Sequence, residues 1–182
     1  MLPSLRRGLT AVAVAALAVS LSACGAGINA QTNHAYMPAS GRNVDVPSPV
    51  TYSEPWLAIR NTILVTSVKD PALSSLVVSF VNNNVDDDTL TSVTVDGVAQ
   101  DVPGGGIVLP NHTLVSVGAP ASRYFITVKG ITAKPGDWVE VTMTFQNAAM
   151  ATFKILNVPQ VNDYDQVPVL PKSVARPVVV IG

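Results

Sequence analysis

The chain has 182 residues, of which 48% are hydrophobic and only 13% are charged, and its formal net charge is −1. So few basic residues, balanced by acids, do not provide the positive surface that binds nucleic acid or anionic lipid, and we expect no nucleic-acid partner. The single cysteine excludes an intramolecular disulfide and a cluster of thiolate metal ligands, so a folded domain must be stabilised by its hydrophobic core.

Residues 1–23 have the parts of a bacterial lipoprotein signal peptide. Arg6 and Arg7 give a positive start, and the apolar stretch 8–20 is shorter than the roughly 20 residues that span a bilayer as a helix. Leu21-Ser22-Ala23 then precedes Cys24, as in a lipobox. We therefore expect cleavage before Cys24, acylation of its thiol, and anchoring of the mature chain to the extracytoplasmic face of the cell membrane. The alternative is an incidental thiol beside an ordinary cleavage site.

The segment that follows Cys24 is predicted to be a tether. Removing the first 23 of the 182 residues leaves 159 residues with nine basic and twelve acidic side chains, a net charge of −3. That length suits one domain with flanking segments. Residues 24–54 are rich in glycine, proline and polar residues without an apolar period, which is typical of an irregular spacer. His34 and Met37 are the types of ligand that Cu(I) prefers, so this pair is either a metal candidate or plain spacer.

Residues 55–157 change to short β-branched runs separated by turn signals. This pattern predicts an all-β domain, an immunoglobulin- or cupredoxin-like antiparallel β-sandwich of seven to eight strands. The runs that we expect to form strands lie at residues 56–65, 75–81, 89–95, 98–102, 113–117, 123–129, 138–145 and 150–156.

Residues 158–182 contain four prolines that interrupt any long strand, so they are predicted to form an extended tail, either free of the domain or partly laid on it. Val178–Ile181 are apolar, and we expect them to add an edge strand to this chain or to a partner.

The loop between two of the predicted strands holds the most conspicuous polar cluster of the chain. It contains three amides and, after one valine, three acids: Asn82, Asn83, Asn84, Asp86, Asp87 and Asp88. Carboxylate and amide oxygens are ligands that Ca²⁺ prefers, but the spacing fits no EF-hand loop. A solvated hairpin tip is the other interpretation, and Asp86, Asp87 and Asp88 are candidates for contact with a partner.

His112 is the only histidine of the predicted domain. It follows a proline and an asparagine, which favours a turn residue, and it is also the remaining candidate metal ligand beside His34 and Met37. Met143 and Met150 fall within strand patterns, where we expect a core role.

Recognisable catalytic patterns are absent from the sequence. It contains neither Gly-x-Ser-x-Gly nor His-Glu-x-x-His, and the glycines at 104–106 are followed by an apolar run rather than by the Lys-Ser/Thr of a phosphate-binding loop. We therefore expect no enzyme activity and no cofactor.

The mature start carries a first resemblance. Cys24-Gly25-Ala26-Gly27, with Gln31-Thr32 shortly after it, is similar to the mature start of actinobacterial envelope lipoproteins of the LpqE type. Those proteins share the size and layout predicted above. The resemblance implies an envelope location and no particular molecular activity.

A second resemblance covers most of residues 76–158. Its matching segments are Phe80-Val81-Asn82, Asp88-Thr89-Leu90-Thr91-Ser92-Val93, Val128-Lys129-Gly130-Ile131, Pro135-Gly136-Asp137 and Val141-Thr142-Met143-Thr144-Phe145. Together they resemble the framework of the periplasmic copper chaperones called PCu(A)C, which implies a cupredoxin-like sandwich and a Cu(I) site of two His and two Met.

The resemblance to PCu(A)C does not extend to the ligands. The family's His-x-Met falls on Phe125 and Thr127, and no His-Met pair follows the strand predicted at 89–95. A phenyl ring and a hydroxyl do not replace imidazole and thioether donors for a soft metal. The resemblance thus implies a scaffold that has lost its site.

These patterns favour a non-catalytic, membrane-anchored envelope lipoprotein that acts as a binding module. Its loops, including residues 82–88 and 104–106, would face a protein, glycan or lipid partner. The alternative is copper binding or copper chaperoning through a degenerate or relocated site. A metal role requires His34, Met37 and His112 to converge, whereas a binding module leaves them scattered beside an exposed apolar patch or groove.

Overall fold

The structure is a computed structural model that describes residues 41–47 and 55–177. Several residues singled out from the sequence lie outside these ranges, namely Cys24, His34, Met37 and Val178–Ile181. The expectations about them stay predictions. The described strands are β1 (Arg42–Pro47), β2 (Pro55–Thr66), β3 (Ser74–Asn82), β4 (Asp88–Val95), β5 (Val98–Gln100), β6 (Ile107–Leu109), β7 (Leu114–Val117), β8 (Tyr124–Val128), β9 (Trp138–Phe145), β10 (Ala151–Pro159) and β11 (Val174–Ala175).

The strands form a curled mixed sheet in the order β11-β8-β7-β3-β2-β10-β9-β4-β5, with β1 paired to β2 and β6 paired to β4. The all-β, sandwich-like prediction is confirmed. Two pairings, β2 with β10 and β7 with β8, are parallel rather than antiparallel. The described strands number eleven because short strands at the sheet edges add to the predicted set. No helix within the described ranges is long and apolar enough to cross a membrane.

The main core lies between the inner faces of the curled sheet. Alternate residues of β3 and β9 point into it, as the period-two patterns predict, and Phe80 meets Phe145 edge-on with ring centroids 6.0 Å apart. Met143 is fully buried there, which confirms its expected core role.

A second, smaller core lies on the outer face of β2 and β10. Ile63 and Val65 are buried there against Val158 and Val167, with Tyr164 packed at the side. Val158, Tyr164 and Val167 belong to the stretch predicted as an extended tail. Part of that tail therefore covers the sheet, and β11 adds a two-residue strand beside β8.

Residues 42–47 differ from the irregular spacer predicted there, because they form β1 along β2. The Val46 side chain is only 3% exposed and belongs to the main core. Arg60 on β2 forms an ion pair with Asp45, and its guanidinium donates a hydrogen bond to the Val44 carbonyl at 3.1 Å. These contacts hold β1 to the sheet.

Candidate functional site

Three loops meet at one end of the sandwich, namely residues 83–87, 110–113 and 146–150, and we call this surface the three-loop end. The His112 amide donates to the Asn82 carbonyl at 2.7 Å, and the Asn111 amide donates to Asp87 Oδ1 at 2.9 Å. Asn147 Nδ2 donates to the Asp87 carbonyl at 3.1 Å. The 83–87 loop, which we call the acidic segment, thus lies between the other two loops and makes hydrogen bonds with both.

The side chain of Asp88 is buried at the three-loop end and links two of its segments. Its side chain is 1% exposed, so for Asp88 the prediction of a solvated loop tip is wrong. Oδ1 accepts hydrogen bonds from the amides of Thr89 at 2.7 Å and Asn147 at 2.9 Å, and Oδ2 accepts one from the Ala148 amide at 2.9 Å. A carboxylate leaves water when backbone N–H groups replace its hydration, as these three do. Asp88 is therefore a structural acceptor.

Asn82 has a matching role on the other side of the same segment. It is fully buried, and its Nδ2 donates to the carbonyls of Asp86 and Leu109, both at 2.9 Å. Its Oδ1 accepts from the Asn84 amide at 3.0 Å. The buried amide and the buried carboxylate fix both ends of the 83–87 loop.

The exposed part of the acidic segment is small. Val85 is 74% exposed, and Asp86 and Asp87 are also exposed. One oxygen of Asp87 is already used by the Asn111 amide. In the described part of the chain no group of three or more His, Cys, Asp or Glu is placed to hold a metal ion. The geometry therefore gives the calcium interpretation no support.

His112 and Met150 both lie on the three-loop end. His112 is an exposed turn residue with φ of 50°, as the sequence favoured. Met150 is 65% exposed in the loop before β10, so the expected core role is wrong for this residue, because β10 begins one residue later. The loops that carry His112 and Met150 both bind the acidic segment. The sequence did not reveal that these loops meet.

Phe125 and Thr127, where the copper ligands of the resembled family fall, are buried in β8 at 1% and 2% exposure. The Thr127 amide donates to Ser173 Oγ at 3.0 Å, and Thr127 Oγ1 donates to the Leu170 carbonyl at 3.0 Å. The Arg176 guanidinium lies 4.3 Å from the centre of the Phe125 ring. The C-terminal segment therefore covers both positions.

An open pocket of about 560 Å³ lies beside the three-loop end, and we call it the side cleft. Leu114 and Val108, which are 62% and 48% exposed, contribute apolar surface to it. It is completed by Pro110, Val115, Ser116, Ala121, Ser122, Arg123 and Tyr124. Sequence reasoning missed this groove, because the alternation in 113–117 does not tell which face of the strand is covered.

Comparisons with known proteins give the fold and no family assignment. No protein-family profile matches the chain, and no curated protein matches it. Among solved structures it is similar to the copper-bound PCuAC domain from PmoF2, with a TM-score of 0.52 and 18% identity over 65% of this chain and 98% of that domain. It is also similar to the apo PCuAC domain from PmoF1, with a TM-score of 0.54 and 16% identity over 65% of this chain and 99% of that domain. The PCuAC-like fold inferred from the sequence is therefore confirmed.

Proposed function

We propose that this chain is a non-catalytic binding protein, anchored to the extracytoplasmic membrane face through Cys24, that presents the three-loop end to a partner. One observation carries the proposal. The two side chains at the ligand positions of the resembled family are buried under the C-terminal segment, whereas the three-loop end is exposed and internally fixed. A fixed surface loses little conformational entropy on binding, which favours a recognition role.

The chemistry of the three-loop end favours a protein partner. Val85 and Met150 offer exposed apolar side chains on two of the three loops, and Asp86 adds a negative charge next to Val85 in the chain. The three loops contain no Phe, Tyr or Trp, the side chains on which sugars usually stack. Exposed apolar side chains together with exposed acids fit a partner surface that carries apolar residues beside Lys or Arg.

Copper binding is the second candidate. The likeness to PCuAC domains, one of them copper-bound, favours this alternative more than it favours a binding module of unspecified partner. The exposed imidazole of His112 and thioether of Met150 lie on loops joined to the same acidic segment, and both are donors that suit Cu(I). His34 and Met37, which lie outside the described residues, are the further donors that the sequence offers to this candidate.

A Cu(I) competition titration separates the two candidates. The full-length lipoprotein in detergent is titrated against a chromogenic chelator, beside a His112→Ala/Met150→Ala variant and a His34→Ala/Met37→Ala variant. The binding-module proposal predicts the same weak competition from all three proteins. Stoichiometric binding that is lost in either variant would instead establish a copper protein with relocated ligands.

Photo-crosslinking tests the binding surface itself. A photoreactive residue replaces Val85 in the membrane-anchored protein, and a matched protein carries it at Thr152, an exposed strand position. We expect one adduct of defined mass from position 85 only, and we expect Asp86→Lys to weaken it because the negative rim is reversed. Equal adducts from both positions would contradict the proposed surface.

A further inference from the structure

The side cleft carries a positive charge that no acid in its lining neutralises. Arg123 lines the cleft, and none of the other lining residues is acidic. Arg123 Nε donates to the Arg176 carbonyl at 3.2 Å, and its guanidinium lies 5.1 Å from the centre of the Tyr124 ring. Within the described ranges, Nη1 and Nη2 of Arg123 have no hydrogen-bond or ion-pair partner. These two groups are the pair through which a guanidinium binds a carboxylate.

Ser122 adds a second polar group beside Arg123. Its side chain is 5% exposed, and it lines the cleft. Its Oγ accepts a hydrogen bond from the Ala119 amide at 3.0 Å. In the part of the chain that the structure describes, the Ser122 O–H has no acceptor of its own. Because nearly buried hydroxyls usually have a partner, an oxygen atom of a ligand in the cleft would complete the hydrogen bonding of Ser122.

The other main feature of the cleft is apolar surface along β7. Leu114 and Val108 are 62% and 48% exposed there. Val117 pairs with Tyr124, so the backbone of Arg123 lies near the Val117 end of β7, and Leu114 lies at the opposite end. From Leu114 to Val117 an extended strand covers about 10 Å. With C–C bonds of about 1.5 Å, an extended chain of about eight carbons has a similar length.

We propose that the side cleft binds a small amphipathic carboxylate, with its head group on Arg123 and Ser122 and its aliphatic chain over Leu114 and Val108. The charge-assisted hydrogen bonds hold the head group, and burial of the chain removes apolar surface from water. The cleft volume of about 560 Å³ is in the range of small-molecule sites. A cationic ligand is disfavoured because it would meet Arg123 and no acid.

NMR titration of the full-length, ¹⁵N-labelled protein in a neutral detergent tests the proposal, with octanoate as the probe. We expect saturable amide shifts in Leu114–Val117 and Ser122–Tyr124 and none in Val139–Phe145. Acetate has the charge without the chain, and octanol has the chain without the charge. Each should bind at least about tenfold more weakly than octanoate, because each lacks one of the two interactions. Octanol also enters detergent micelles, so it controls for shifts caused by the detergent.

Two variants test the two parts of the site separately. Arg123→Gln should weaken octanoate binding about tenfold, because the charge is lost. This substitution also removes the bond to the Arg176 carbonyl, so Leu114→Gln is a second variant that leaves the guanidinium in place. Leu114→Gln should weaken octanoate binding about threefold and leave the response to acetate unchanged. Arg42→Gln is the control, at an exposed arginine of β1 that does not line the cleft.

Four results would overturn the proposal. The first is the lack of saturable shifts with octanoate, and the second is a set of shifts spread over the whole domain. The third is octanol or acetate binding as tightly as octanoate, which would indicate a purely apolar surface or an adventitious anion site. The fourth is an equal affinity for octanoate in Arg123→Gln and Arg42→Gln, which would show that the guanidinium does not hold the head group.

Discussion

Asp88 Oδ2 accepts a hydrogen bond from the backbone amide of Ala148 at 2.9 Å, across sixty residues of sequence. The other oxygen of the same carboxylate binds the amides of Thr89 and Asn147. One buried side chain thus joins the start of β4 to the loop between β9 and β10. The three-loop end is held together here because one carboxylate binds amides of both segments.

Asp88→Asn is expected to lower the free energy of unfolding by about 2 to 3 kcal/mol. The amide keeps the shape of the side chain, but one of its two ends can no longer accept a hydrogen bond, so at least one buried backbone N–H loses its partner. Asp86→Asn is the matched control, because Asp86 is exposed and its substitution should cost less than about 0.5 kcal/mol. Urea denaturation measures both, and equal effects would show that Asp88 is not the structural acceptor.

Restoring the resembled family's ligands in β8 is expected to give no gain in Cu(I) binding. The variant Phe125→His/Thr127→Met places an imidazole and a thioether beneath Leu170 and Arg176, and it supplies two of the four donors that the resemblance implies. Chelator competition measures the result against the parent chain. Tight stoichiometric binding by the variant would show that this position is accessible despite the C-terminal segment.

Thr127→Val is expected to loosen the C-terminal segment. Valine has the shape of threonine but cannot donate to the Leu170 carbonyl, so a part-buried hydrogen bond is lost at a cost of about 1 kcal/mol. Trypsin should then cut faster after the exposed Lys172. Thr152→Val, which removes the exposed hydroxyl bonded to Thr142, serves as the control and should leave the cleavage rate unchanged.

Val46→Ala tests whether β1 belongs to the folded domain. Removing two methyl groups from a side chain that is 3% exposed should lower the free energy of unfolding by about 2 kcal/mol. The same substitution at Val85, which is 74% exposed, should cost less than about 0.5 kcal/mol. Thermal or urea unfolding of the two variants measures the difference. If the two costs match, residues 42–47 act only as spacer.

The strand pattern predicted the fold because burial alternates with a period of two in the long strands. In β9, for example, the buried residues Val139, Val141 and Met143 alternate with more exposed neighbours, as the sequence shows. β11 has only two residues, too few for that period to be recognised, and β1 buries only Val46 among its six residues, so it shows no period of two. Their pairing depends on contacts with β2 and β8 that no local pattern encodes.

The candidate site was predicted less completely, for a physical reason. The sequence does not distinguish the three consecutive aspartates at 86–88. Only the Asp88 side chain is buried, because two of the amides that bind it belong to Asn147 and Ala148, about sixty residues later. Met150 stands one residue outside β10 and is therefore solvent-exposed. Which side chains a loop exposes is decided by distant partners, and a single sequence does not place those partners.

Gly118→Ala is expected to be the most destabilising of these substitutions, at more than about 3 kcal/mol. Gly118 has φ of 78°, and a Cβ there would stand 2.3 Å from the Leu76 carbonyl oxygen in β3. The backbone would have to move where β7 ends against β3, since a carbonyl cannot yield as a flexible side chain does. Gly97 is the control that separates the cost of a side chain at positive φ from the cost of the steric clash. Its φ of 76° is nearly the same as that of Gly118, while a Cβ there meets nothing within 4 Å. Gly97→Ala should therefore show only the conformational cost, about 1 kcal/mol. Urea denaturation compares the two, and a similar loss at both would mean that the approach of Gly118 to Leu76 contributes nothing.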